Sequence, residues 1–188
     1  MTRATTGSRF ETALRRPAVR ETDGWAFVVL PKPISDIFPR RGRTSMQGTL
    51  NGRLFQATLE PDGQLSHWFR VPATLMTDAG VTIGDTVTFD VAPTPNEQEP
   101  PVPPELVKVL DASLSARETW DAITTVARID WIHWIESAKQ DKTRLKRVAD
   151  AGDMLASGKK RVCCFDPSGY YSKSLNAPRE ANQGNYRH

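Results

Sequence analysis

Six prolines fall within the thirteen residues 92–104 of a 188-residue chain. Proline has no amide hydrogen to donate and biases its predecessor to extended geometry, so neither a helix nor a central strand can run through this stretch. It reads as a semi-rigid linker, residues 94–104, between two modules of different periodicity. A chain of this length buries roughly 70% of its unfolded surface and needs no metal or disulfide staple. No stretch approaches the ~20 apolar residues of a membrane span. The first residues lack the apolar core of a secretory signal, so a cytoplasmic location is expected.

Before the linker, residues 8–93 carry short β signals. Phe10, Thr12 and Leu14 alternate with charged residues, and residues 25–30 form a β-rich run stopped by Pro31 and Pro33. Residues 44–50 and 53–59 flank Asn51-Gly52, the pair that accepts the positive φ angles of a two-residue hairpin turn. Residues 65–71 follow a second turn at Pro61-Asp62-Gly63, and residues 86–91 follow Gly84-Asp85. Short helical turns are expected at 34–38 and 73–78. Six short strands with turn signals favour a small barrel, because closure removes exposed edges.

After the linker the pattern becomes helical. Leu106, Val109 and Leu110 make one apolar face behind Pro103 and Pro104. Ser115 and Glu118 have capping-box spacing, and Thr124 or Thr125 can cap the next helix. Trp131, Trp134, Ile135 and Ala138 then form a stripe, with His133 and Glu136 placed toward solvent. A last helix over 141–156 turns Leu145, Val148, Gly152 and Leu155 inward, with Asp141 as its cap, and Gly158 fits its stop. The expected fold class is α+β: a six-stranded barrel, then a three- or four-helix module over 105–165. The polar residues 174–188 read as a disordered tail.

Charge is unevenly spread. The chain holds 25 Lys and Arg against 22 Asp and Glu, a net of +3. Residues 139–161 alone hold eight basic residues opposed by three aspartates. Such a stripe attracts phosphate or an acidic partner. Lys139, Arg144 and Arg147, joined by Arg41 and Arg43 of the Arg40–Arg43 cluster, are therefore the candidate partner- or anion-binding residues. Cys163 and Cys164 are adjacent, and neighbours in regular backbone point apart. They read as small apolar residues of a short buried segment, with a redox pair as the alternative.

No catalytic constellation emerges. The three histidines, His67, His133 and His188, stand in no Asp-His-Ser order and no His-Glu-x-x-His motif, and no phosphate loop follows a strand. No metal or cofactor is expected.

Residues 131–139, then Thr143, Arg144 and Arg147, then residues 154–158 resemble the bacteriocin-protection, YdeI or OmpD-associated family. Trp25 to Phe27 before Pro31, residues 48–52 and residues 84–87 resemble the small β-barrel domain of unknown function that often precedes it. The resemblance implies a bacterial, two-module protein without an established catalytic set, and the family name implies a link to envelope stress or antimicrobial resistance. The expected function is thus a binding or adaptor protein for a protein or anionic ligand. Nucleic-acid binding through 139–161 is the first alternative. An enzyme with a polar pocket in the barrel, using His67, Arg43 or Asp85, is the second. Removing Trp134 is expected to cost about 3–5 kcal/mol, and removing Arg144 under about 1 kcal/mol.

Overall fold

The structure is a computed structural model and describes residues 7–19 and 23–181. Residues 1–6 and 182–188, with the start and end of the expected polar termini, lie outside the described residues. The first module holds β1 (Ser8–Ala13), β2 (Ala26–Val29), α1 (Lys32–Ser35), β3 (Thr44–Leu50), β4 (Arg53–Pro61), β5 (His67–Val71), α2 (Ala73–Ala79) and β6 (Thr86–Pro93). The second holds α3 (Pro104–Ala112), α4 (Leu114–Ala122), α5 (Thr125–Glu136) and α6 (Asp141–Ala156).

The strands form one antiparallel sheet in the order β1-β6-β3-β4-β5-β2. It curls until its two outer strands meet, where Arg15 and Phe27 exchange backbone hydrogen bonds of 3.1 and 2.9 Å. The β3–β4 hairpin turns at Asn51 (φ 45°) and Gly52 (φ 83°), the pair of positive angles that a twist-matched two-residue turn requires. Period-two alternation sends Phe10, Leu14, Val87, Phe89 and Val91 inward. Phe10 and Phe89 lie opposite each other in register and stack at 5.4 Å. Phe69 meets Phe89 edge-on at 5.3 Å, and Phe55 meets both. The barrel interior is therefore filled with hydrocarbon.

Four helices make the second module. Pro103 and Pro104 open α3, whose Leu106 and Leu110 are buried. The cap of α4 is Ser113, whose hydroxyl accepts from the Ala116 amide at 3.3 Å, two residues earlier than the capping box at Ser115 suggests. Leu114 already has helical geometry, so the box spacing was coincidental. Thr124 caps α5 through the Ala127 amide at 3.2 Å. Asp141 opens α6 at its first position without a side-chain cap, so its contribution is its charge at the positive helix end. A Cβ on Gly152 would meet Val109 Cγ1 at 2.3 Å, which lets α6 approach α3 closely.

Two inward assignments shift. Leu145 is 54% exposed, and Ala151 takes its place beside Val148 and Leu155. Trp134 is half-buried, while Trp131 is fully buried and touches it edge-on at 6.2 Å. Both changes follow from α6 and α5 being rotated by neighbours that a single-helix pattern does not include.

The linker is tied to both modules. Glu97 accepts from the Ser45 amide at 2.9 Å and from the Thr44 hydroxyl, and Glu99 pairs with Arg128 at 2.9 Å. Residues 174–181 lie along the barrel rather than apart from it. Ala18 donates to the Arg179 carbonyl and Ala181 to the Arg16 carbonyl, each at 2.8 Å. Polar composition concealed this pairing because it uses backbone groups alone.

Candidate functional site

The polar chemistry gathers where α5 lies on the barrel. α5 is apolar on more than one side. Trp131, Ile132 and Ile135 face the other helices, while His133 is 3% exposed on another side. The solvent-facing assignment of His133 is thereby corrected: the side opposite the helical core is covered by the barrel and by Phe165, whose ring stands perpendicular to the imidazole at 5.3 Å.

The barrel presents Arg40 and Arg43 from the loop before β3, and Glu60 from β4. Arg43 bridges the modules, its Nε donating to Glu60 at 3.0 Å and its Nη1 to Glu136 of α5 at 2.7 Å. Arg40 pairs with Asp130 of α5, both side chains under one-fifth exposed. His133 Nε2 lies 3.7 Å from Glu60. Among the described residues, His133 Nδ1 and Arg40 Nη1 are buried without a hydrogen-bond partner. A buried donor or acceptor left unmatched costs about 1–3 kcal/mol.

Burial dominates the protonation of this cluster. It pushes the His133 imidazole down to about 3, with Arg43 and Arg40 adding repulsion. It pushes the Glu60 carboxyl up against the pull of Arg43, and the Asp130 carboxyl up against the pull of Arg40. Burial also opposes the Arg43 charge, but Glu60 and Glu136 outweigh it and hold the guanidinium above its ordinary value. His133 is consequently a neutral ring between charged neighbours at physiological pH.

A cleft of about 480 Å³ opens beside these groups. Arg43, Glu60, Trp68 and Arg70 line it from the barrel, and His133, Glu136 and Ser137 from the helical module. A larger recess of about 780 Å³ lies on the barrel flank between Gln47, Leu54, Gln56 and Asp90, but among the described residues Asp90 is its only charged lining residue. The cleft at the junction brings charged groups of both modules together, and it is the candidate site.

Of the residues singled out in the sequence, Arg43 alone lines this cleft. Arg41 is exposed, donating to the Leu65 carbonyl at 3.0 Å and pairing with Asp36 at 2.6 Å. Arg144 forks onto Glu105 of α3 at 2.8 and 3.2 Å. Arg147 donates to the Trp134 carbonyl and to Ser137 Oγ, with its guanidinium 5.4 Å from the Trp134 ring. Lys139 is exposed just beyond α5. The structure does not gather the five into one surface. Arg40, Glu60, Asp130, His133 and Glu136 were missed. The signal that could have found them is the breadth of the apolar pattern on α5, which leaves His133 no solvent face.

His67 is no general base in a pocket. Its ring is fully buried, with Nδ1 2.7 Å from Ser35 Oγ and Nε2 3.1 Å from the Gly42 carbonyl. Asp85 accepts from the Thr82 amide at 2.8 Å and fixes a turn. Among the described residues there is no cluster of three or more His, Cys, Asp or Glu side chains placed to hold a metal ion. Nor is any described helix long and apolar enough to cross a membrane.

Comparison with protein families assigns both modules. Residues 10–91 match the model of a domain of unknown function, DUF1905, and residues 99–158 match the model described as bacteriocin-protection, YdeI or OmpD-associated. The chain joins a DUF1905 domain to a YdeI/OmpD-associated domain. The candidate cleft lies between these two domains, with residues of each on its walls. A search among curated proteins found no match.

Proposed function

We propose that this chain is a non-catalytic binding protein that holds a polypeptide segment of its partner in the cleft between the DUF1905 barrel and the helical domain. The observation that carries this is the lining of the cleft. Arg43 and Arg70 are balanced by Glu60 and Glu136, beside the aromatic walls of Trp68 and Phe55. Arg43 is already held by Glu60 and Glu136, so a simple anion would have to compete with both carboxylates for it, whereas the apolar and aromatic walls suit the side chains of a peptide segment. The bacteriocin-protection wording of the family model agrees with a peptide ligand and supports reading a part in resistance to antimicrobial peptides. The filled barrel and the engaged ring of His67 favour this reading over an enzyme with its site in the barrel. Nucleic-acid binding draws less support, because Arg144, Arg147 and Lys146 of the basic stripe already have intramolecular partners.

A photo-crosslinking residue at Ser137, on the cleft wall, tests the proposal in living cells. One polypeptide should be captured reproducibly, and capture should fail when Trp68→Ala is added. The same probe at Lys142, exposed on α6, should not capture it. Equal capture from both positions, or nucleic acid as the captured species, overturns the reading.

A further inference from the structure

Residues 159–166 leave α6 and return to the barrel side, held at both ends. Upstream, the Trp131 indole donates to the Lys160 carbonyl at 3.4 Å. Downstream, Phe165 packs on His133. Between these anchors, Cys163 and Cys164 are both exposed, which corrects the buried segment expected from their small apolar side chains. The turn folds outward because the residues on either side, not the cysteines, supply its packing.

Adjacent cysteines in regular backbone point apart, and their Cα atoms are only about 3.8 Å apart, shorter than the usual disulfide span. Here the backbone is not regular. Cys164 has φ 60°, a left-handed conformation that a side-chain-bearing residue adopts at a cost. In this turn the two sulfurs lie 3.1 Å apart. Lys159, Lys160 and Arg161 precede the pair in the chain and favour an incoming anionic thiol reagent. The Cys164 thiol is pushed up chiefly by its hydrogen bond with Cys163.

We propose that Cys163 and Cys164 are an oxidative modification site that closes to a vicinal disulfide by exchange with a low-molecular-weight disulfide of the glutathione type. One cysteine thiolate attacks a glutathione disulfide sulfur and releases one glutathione thiolate. The second cysteine, deprotonated in its turn, attacks the mixed disulfide from the neighbouring position and releases the other. Two protein thiols and one small disulfide become one protein disulfide and two small thiols, with the two protons going to solvent or to the released thiolates. An exposed disulfide in a distorted turn is readily reduced again, which suits a reversible mark. This proposal is independent of what the cleft binds.

The test incubates the full chain with glutathione disulfide, quenches it in acid and measures intact mass and free thiols. The wild-type chain should lose both thiols and the mass of two hydrogens, with no lasting adduct. Cys163→Ser and Cys164→Ser should each retain one glutathione, because no neighbour remains to displace it. A wild-type chain that accumulates glutathione adducts, stays reduced, or forms only disulfide-linked dimers overturns the proposal.

Discussion

Inside the barrel, Phe10, Phe55, Phe69 and Phe89 meet ring to ring, and the buried His67 has both ring nitrogens engaged. At the junction, Arg40, Arg43, Glu60, Asp130 and His133 are largely withdrawn from water, and the pairs Arg40–Asp130 and Arg43–Glu136 join the domains around the neutral His133 ring. The first arrangement gains stability from apolar area and dispersion. The second gains little net stability, since desolvation offsets the attraction, but losing one partner strands the other. The barrel interior thus supplies stability, and the buried charged groups gather where the barrel meets the helices.

The largest expected effects come from the apolar cores. Trp131→Ala should cost about 3–5 kcal/mol in chemical denaturation, as the loss of a large buried aromatic does. Trp134→Ala should cost clearly less, because its ring is half-buried; equal costs would place Trp134 in the core after all. Acid comes next. His133 takes a proton in the unfolded chain near its ordinary value but in the folded chain only near pH 3. Stability contributed by the neutral ring is therefore present above about pH 6.5 and is lost as pH falls toward 3, by about 3–5 kcal/mol at most. Glu60 and Asp130, whose carboxyls are pushed up, act with the opposite sign and offset part of this. Denaturation of His133→Leu between pH 7 and pH 4 should show a flatter profile than the parent chain. An unchanged slope would remove His133 as the acid-sensitive group.

Arg43→Met should cost about 1–3 kcal/mol by leaving Glu60 without its guanidinium. It should also raise the exposure of the cleft to hydrogen exchange. The smallest effect belongs to Arg144→Ala. Its fork onto Glu105 lies at the surface, with side chains 29% and 37% exposed, and thermal melts should register a loss under about 1 kcal/mol. A loss as large as that of Trp131→Ala would make Arg144 a structural anchor.

The architecture was largely legible before the structure. The linker prolines fall between the last strand and the first helix of the bundle, Asn51-Gly52 sets the central hairpin, and the helical period emerges after Pro104. These signals are local, which is why they survive in one dimension. The site was not legible, for the opposite reason. Glu60 and Glu136 lie far apart in sequence and meet only through Arg43. His133 looked solvent-facing because periodicity describes one helix against one core, whereas α5 is packed on two. The cysteine pair was misplaced because small apolar size predicts burial, while here the residues on either side supply the packing of the turn.

Paired charges join the two domains at α5. A double-mutant cycle on Arg40 and Asp130, with Arg40→Met, Asp130→Asn and the double variant, measures that pairing directly, because the two side chains come from different domains and are each under one-fifth exposed. Denaturation should give a coupling of about 1–3 kcal/mol, with the double variant more stable than the sum of the single losses implies. A coupling indistinguishable from zero would mean that the domains do not hold each other through this pair, and would contradict the account.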